Sequence, residues 1–502
     1  MTRTRTQSGK PKDDHCGTDD EIRSAADVHR YAHLTCLTEQ PRGTVGVETE
    51  WFVVDTESVS RPVAPTRTMA ALTGVVSGSP PDLRDGPSAG ATGSPPDLRD
   101  GPSAGATGSP GHATLPGGTR ITFEPGGQLE LSAPPLPLSD ALARTAADLA
   151  GVRSMLADAG LALVGMGTDP LRPPRRHLTA SRYEAMERYF RAGGGSAGVT
   201  MMCSTASIQV NLNAGTTAQW AGRFELAHAL GPALVAMFAA SPVLAGTATG
   251  FCSTRQAVWA EIDPTRTRPV ATAGRSDPAT AWADYLLAAR IMLVRDPHGG
   301  FRQPPTTMTF GDWVAGEGPL PRPPTTTDLS YHATTVFPPV RPRGWLELRY
   351  LDAVPAGNWP MVVAVTTALL DDPRAADIAA DACVPVADEW VTAALVGLSD
   401  TALHQAARVC AGAARDALGR MDADASLLAA VDAYFDSYVE PGRCPADDLT
   451  DRLADVGPEG LLRAEIDAVG GDGGDGGGGA RGRYRSVTAQ VSAPDSAGVV
   501  AL

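Results

Sequence analysis

The sequence predicts an α+β protein: an antiparallel β-sheet covered by helices, with an Ala-rich helical layer towards the C-terminus. Three observations carry this. Several short stretches alternate apolar and polar residues with the period of two that a half-buried strand shows. Helical stretches fall between them without the regular strand–helix alternation that builds parallel sheets. Residues 360–468 are Ala-rich and read as helix almost throughout.

In chain order, residues 1–21 form a polar tail, and an ordered body is expected over 22–468. "VGVETEWFVV" (45–54) is the first strand, with Val45, Val47, Trp51 and Val53 on one face and Glu48 and Glu50 on the other. A tandem "GSPPDLRDGPSAGAT" repeat fills 78–107, so 72–118 reads as a low-complexity insertion between two strands. "RITFEPGGQLELS" (120–132) follows, with Leu129 and Leu131 opposed to Gln128 and Glu130, and a Pro125-Gly126-Gly127 break between Glu124 and Glu130. Glycine lets such a break turn sharply and lets a phosphate come close. "PLSDALARTAADLAGVRSMLADAG" predicts a helix capped by Ser139, stopped at Gly160, with Leu142, Leu149, Val152 and Leu156 on its buried face. Further helices are expected near 181–191, 218–240 and 279–291, the apolar "ALGPALVAMFAASPVLAG" being a buried core helix. "SIQVNLN" sets Ile208, Val210 and Leu212 against Gln209, Asn211 and Asn213, and "GWLELRY" sets Leu346 and Leu348 against Glu347 and Arg349. Residues 469–502 are a Gly-rich tail.

Composition narrows the function. A net charge of −15 argues against nucleic acid or an anionic membrane as the main partner. The N-terminus lacks an apolar signal core, and seven scattered cysteines without a CxxC pair fit reduced thiols in a cytoplasm. The only lysines are Lys10 and Lys12, both in the tail, so P-loop and Schiff-base chemistry are excluded. Phosphates would have to be handled by arginine and metal ions. "GGSAG" and "GPSAG" match a nucleophile elbow but follow no apolar strand, and "GMGTDP" lacks the third glycine of a dinucleotide loop. The nine histidines show no metal-binding spacing, and Cys203 and Cys252 read as small buried hydrophobes.

The polar strand faces carry the chemistry. A solvated sheet face would also alternate, but with many Thr, Lys and Arg residues. Here Glu48, Glu50, Glu124, Glu130 and Glu347 crowd one side with amides and one arginine. Such carboxylates repel unless cations sit among them, and oxygen-only donors point to Mg²⁺ or Mn²⁺ rather than zinc.

"RITFEPGGQLELSAPP", "LVGMGTDP", "SRYEAMERYF", "TASIQVNLN", "FCSTRQAVW" and "TTVFPPVRPRGWLELRYLD" occur in this order over roughly 44–370. Together they resemble the glutamate–cysteine ligases of plant and bacterial type, within the carboxylate–amine ligases. The resemblance implies a glutamine-synthetase-like sheet forming a bowl, with ATP, metal ions and glutamate on its polar side. It implies that glutamate is joined through its γ-carboxylate to cysteine by way of γ-glutamyl phosphate. The compact form resembles the actinobacterial ligases, which implies supply of γ-glutamylcysteine to ergothioneine synthesis. By position in the motifs, the five glutamates would hold metal, with Gln209 a further ligand and Glu50 and Arg349 central to catalysis. Arg349 and Asn211 would meet ATP, and Arg255 the glutamate α-carboxylate. Arg182, Tyr183 and Trp259 would line the substrate pocket. The repeat insertion departs from the family pattern, and the plant regulatory disulfides have no counterpart. The alternatives are a ligase with another amine acceptor, a metal-dependent hydrolase and a degenerate binding protein.

Deleting one copy of the repeat should leave activity and melting temperature nearly unchanged, because loop closure costs only about 0.6 kcal/mol per doubling of length. Loss of activity on deletion would show that the insertion covers the site.

Overall fold

The computed structural model describes residues 19–74, 113–270, 277–296, 300–355 and 357–470. Most of both expected tails and most of the insertion, its repeat included, lie outside the described residues. Twelve strands follow in chain order: Val45–Asp55 (β1), Ala113–Thr114 (β2), Arg120–Phe123 (β3), Leu129–Leu136 (β4), Leu161–Val164 (β5), Ser207–Leu212 (β6), Val243–Leu244 (β7), Thr247–Ala248 (β8), Val294–Arg295 (β9), Phe301–Arg302 (β10), Val340–Pro342 (β11) and Leu346–Asp352 (β12). Eight form one antiparallel sheet in the order β11-β12-β6-β1-β4-β3-β2, with β5 on the far half of β1. The other four make two short ribbons, β7-β8 and β9-β10.

Register converts the period of two into two unlike faces. Thr49 pairs with Leu131 and Ile208, and Leu212 pairs with Val45 and Leu346, so these residues line one side. That side is dry, and the indole of Trp51 donates to the Thr49 hydroxyl at 2.9 Å, which satisfies the one polar pair on it. The helices Leu138–Asp158 and Trp359–Asp371 pack against it. On the opposite side Glu50 stands across from Glu130, Glu48 from Gln209, and Asn211 from Glu347, which itself faces Arg341. A one-residue slip would exchange the faces.

The helix over 138–158 buries Leu142, Leu149, Val152 and Leu156 as expected. Its cap does not follow the expectation. Pro137 stands at the N-cap and Ser139 lies inside the first turn, because the preceding strand runs through Pro137 directly into the helix. Gly160 takes φ +70 just beyond the end, a left-handed conformation that suits glycine. The expected 218–240 helix is two, Trp220–Ala229 and Gly231–Phe238, with Pro232 in the first turn of the second. Proline lacks the N–H that a continuous helix would need there. Every residue of Gly231–Phe238 is buried. The remaining two expected helices run over Ser181–Ala192 and Pro278–Ala288.

The C-terminal layer is helical. It runs from the largely apolar Trp359–Asp371 through Pro373–Cys383 and Thr401–Arg420 to Pro445–Gly470, the last broken at Gly457 (φ +68) before Pro458. Among the described residues, no single helix is long and apolar enough to cross a membrane.

The Pro-Gly-Gly turn closes between Glu124 and Gln128, where the Glu124 N–H donates to the Gln128 carbonyl at 2.9 Å. Gly127 has φ +89. The close approach at Gly126 is to the chain's own backbone rather than to a phosphate. A Cβ there would lie 2.2 Å from the Cys203 carbonyl oxygen and 2.6 Å from its Cα. Gly126→Ala should therefore destabilise the protein by about 1–3 kcal/mol through backbone displacement. Gly151→Ala, in the 138–158 helix with nothing within 4 Å of the added carbon, should be neutral or stabilising by up to about 1 kcal/mol. Thermal melts of the two variants check this contrast.

Candidate active site

The acidic centre is built by three adjacent strands and the turn between two of them. One carboxylate oxygen from each of Glu50, Glu124 and Glu130 lies within 4.8 Å of the others. Glu50, on β1, is buried and well provided with donors. The Ser207 N–H reaches it at 2.7 Å, the Ser207 hydroxyl at 2.9 Å and the Gln209 amide at 3.1 Å. Glu130 accepts from the hydroxyls of Thr122 at 2.5 Å and Ser132 at 3.1 Å. Burial raises the pKa of all three; repulsion adds to it at Glu130, from Glu50, and at Glu124, from Glu50 and Glu130, which pushes Glu124 well above its ordinary value, whereas Arg255 partly offsets the rise at Glu50. Glu48 is pushed up to about 7 by burial, then by Glu130 and Glu347, although Asn211 donates to it at 3.2 Å.

Glu347 lies in a different environment. It is fully buried, and both its oxygens are taken by arginines. Arg341 binds at 2.5 and 3.2 Å, Arg343 at 3.0 Å and Arg349 at 3.2 Å. Despite burial, these three guanidiniums hold its carboxyl far below the usual range. The row of five equivalent carboxylates expected from the sequence is thus two groups: a triad with Glu48 beside it, and a carboxylate clamped by cations. Gln209 bridges them, donating to Glu50 and accepting from Arg349 at 2.6 Å. Its oxygen is therefore engaged by a guanidinium in this arrangement. Asn211 likewise accepts from the Trp345 indole at 3.0 Å while donating to Glu48.

Arg255 enters from the helix Thr254–Glu261. It is 1% exposed, and its Nη2 donates to the Arg349 carbonyl at 2.7 Å. The guanidinium lies 4.5 Å from the Trp259 ring centre. Its Nε and Nη1 find no hydrogen-bond acceptor among the described residues, nor does the Nε of Arg349. Buried donors left this way call for an anion. Tyr183 is buried close enough to Glu124 and Glu130 for their charges to help raise its pKa. Arg182 turns aside to the Thr334 carbonyl and hydroxyl and stacks over Tyr331, so it faces the pocket wall.

Sequence reasoning missed Arg341 and Arg343, although "VRPRGWLE" places Arg341 directly across a hairpin from Glu347. It also missed Ser207, Thr122 and Ser132, the hydroxyl donors that hold the carboxylates, and Asp352.

The donor set suits a hard divalent cation. It is all oxygen, and burial raises the pKa of Glu48, Glu50, Glu124 and Glu130, a penalty on their charged forms that a bound cation would relieve. A sheet face that pairs carboxylates with buried, underused guanidiniums has the make-up of an enzyme that brings a phosphorylated nucleotide to an acidic substrate. The family can be stated outright: the profile of glutamate-cysteine ligase family 2 (GCS2) matches residues 44–488, and the chain belongs to that family. It is 42% identical over 459 residues to the glutamate–cysteine ligase EgtA of Mycolicibacterium smegmatis, covering 90% of this chain and 97% of that one. To the EgtA of Mycobacterium tuberculosis it is 48% identical over 343 residues, 68% of this chain and 78% of the other. A crystal structure of glutamate–cysteine ligase from Francisella tularensis in complex with AMP shares the fold, at a TM-score of 0.50 and 13% identity, over 86% of this chain and 89% of that one.

The raised carboxylates give a pH prediction. Glu48 ordinarily titrates near 4.5 and in the fold near 7, so the folded state keeps a proton that the unfolded chain has already lost. Stability is then fully present below pH 4.5 and falls as pH rises through about 7. Buried His228 and His332, held down at about 4 and about 3 by burial, give the opposite slope over the same window, so the test is a comparison with Glu48→Gln. Relative to that variant, the melting temperature of the metal-free protein should decline as pH rises across the window, and saturating Mg²⁺ should flatten the decline. A difference that does not change with pH would contradict the arrangement.

Proposed function

We propose that this protein joins the γ-carboxylate of L-glutamate to the amine of L-cysteine at the expense of ATP, giving γ-glutamylcysteine, ADP and phosphate. The observation that carries the reading is the pairing, on one sheet face, of a carboxylate triad with buried Arg255, two of whose donors are unused. Family membership and two glutamate–cysteine ligase relatives at 42% and 48% identity support it. The likeness to actinobacterial ligases directs the product to ergothioneine synthesis.

A γ-carboxylate oxygen of glutamate attacks the γ-phosphorus of ATP and ADP departs. The amine of cysteine then attacks the acyl carbon, phosphate leaves, and the amine gives up its proton. The first step brings a triphosphate against a carboxylate, so it needs positive charge and alignment. Glu50, Glu124 and Glu130, with Glu48 beside them, would hold Mg²⁺ or Mn²⁺, which when bound neutralises both anions. Arg349 presents its free Nε towards the phosphates, held at the other side of its guanidinium by Gln209 and Glu347. We assign Asn211 to the nucleotide side as well. Arg255 receives the glutamate α-carboxylate through Nε and Nη1, a planar fork suited to two oxygens. Trp259 backs that guanidinium with its ring, and Tyr183 and Arg182 form the substrate wall. The active unit is assigned to 22–468, with 72–118 inserted into it.

Hydroxylamine in place of cysteine should capture the activated acyl group, yielding γ-glutamyl hydroxamate and ADP only when Mg²⁺ is present. AMP instead of ADP would overturn the acyl phosphate, and phosphate release without hydroxamate would indicate a hydrolase. Glu50→Gln and Glu130→Gln should each lower turnover on the order of a hundred- to a thousand-fold, as expected when about 3–4 kcal/mol of electrostatic stabilisation is lost.

A further inference from the structure

Asp352 ends β12 three residues after Arg349 and is 3% exposed. It carries more hydrogen bonds than a strand end needs. Its Oδ2 accepts from the Ala240 N–H at 3.0 Å and the Ser241 hydroxyl at 2.6 Å. Its Oδ1 accepts from the Ser253 hydroxyl at 3.0 Å and stands 3.9 Å from Arg255 Nη1. Both serines lead to the same place. Ser241 Oγ accepts the backbone N–H of Arg255 at 3.2 Å. Ser253 caps the Arg255 helix by accepting the Gln256 N–H at 3.2 Å. Behind the carboxylate the chain is flush: a Cβ on Gly167 would lie 2.6 Å from the Asp352 Cγ. The charged groups acting on the Arg255 guanidinium are Asp352, Glu50 and Arg349.

We propose that Asp352 is a positioning residue for glutamate recognition: it fixes the backbone and the guanidinium plane of Arg255, so that Nε and Nη1 stay aimed at the α-carboxylate. This rests on the role given to Arg255 above. Without a fixed carboxylate behind it, a buried guanidinium between Glu50 and Arg349 would swing to Glu50, the remaining anion, and leave the substrate. Oδ1 thus supplies an attraction close enough to orient Nη1, at a distance too long to take up its hydrogen. The donor stays free for the ligand.

Asp352→Asn tests this with little change of shape. The two donors on the Oδ2 side compel the amide oxygen to remain there, which puts the amide NH₂ against Arg255. Glutamate KM should rise roughly tenfold to a hundredfold, the scale of a small misplacement of a binding group, while ATP KM stays within about twofold. Ser253→Ala, which keeps the charge and drops one hydroxyl, should raise glutamate KM several-fold, and Ser253→Thr should restore it. If Asp352→Asn does not fold, the Ser253 pair decides. Folded variants in which glutamate and ATP KM move together, or not at all, overturn the proposal. Arg255→Ala separates the two levels of inference. If it leaves glutamate KM unchanged, the Arg255 assignment falls and this proposal with it. If it raises glutamate KM while Asp352→Asn does not, only the present proposal falls.

Discussion

Repulsion among carboxylates on one face of one sheet is the constraint around which this protein is arranged. Bringing Glu50, Glu124 and Glu130 within 4.8 Å of one another, with Glu48 alongside, opposes folding at neutral pH. The structure meets the cost in two different ways. Glu347 is answered in full by Arg341, Arg343 and Arg349. Three of the others receive neutral donors: Ser207 and Gln209 on Glu50, Thr122 and Ser132 on Glu130, and Asn211 on Glu48. Neutral donors orient a carboxylate without cancelling its charge. The remaining negative potential is what a divalent cation and its nucleotide would satisfy, so the instability of the free site would favour their binding.

Holding that arrangement requires a rigid scaffold, and the opposite face supplies it. Val45, Val47 and Trp51 of β1 are buried, with the helix Leu138–Asp158 packed on the strand, so β1 cannot slide to relieve its charge without exposing this apolar set. The turn is locked independently. Gly127 takes a conformation few other residues adopt, and Gly126 rests on the Cys203 backbone. The Pro125 carbonyl accepts from the His177 N–H at 2.7 Å. Glu124 is thus fixed by backbone contacts from two distant segments rather than by hydrogen bonds to its own side chain.

How much of this the sequence discloses depends on the range of the interaction. Period-two alternation is local, so the faces of 45–54, 207–213 and 344–350 and the acids on them are legible directly. The α+β class and the helical C-terminal layer are legible for the same reason. The division of the five acids into two groups is not, because it depends on which strand lies beside which. Arg341 neutralises Glu347 only through the β11–β12 register. Asp352 acts on Arg255 across 97 residues of chain, so no spacing reveals it. Local chemistry also misleads where two devices compete. Ser139 looks like a helix cap, but a strand that feeds through Pro137 into the helix leaves it inside the first turn.

The absence of lysine after residue 12 acquires a physical meaning in the site. Each cation there has several tasks at once. Arg349 binds Gln209 and Glu347 with part of its guanidinium and keeps Nε free. Arg255 gives Nη2 to the Arg349 carbonyl and keeps Nε and Nη1. An ammonium is a point charge whose donors share one atom, so it cannot be anchored on one side and offered on the other in a fixed plane. The Arg255–Arg349 bond then has a mechanical consequence. It ties the group assigned to the α-carboxylate to the residue assigned to the phosphates, through one main-chain carbonyl. The distance between those two anchor points becomes a property of β12 and the Arg255 helix rather than of two independent side chains. In-line attack of a γ-carboxylate on a γ-phosphate depends on that distance being held before the reactants arrive.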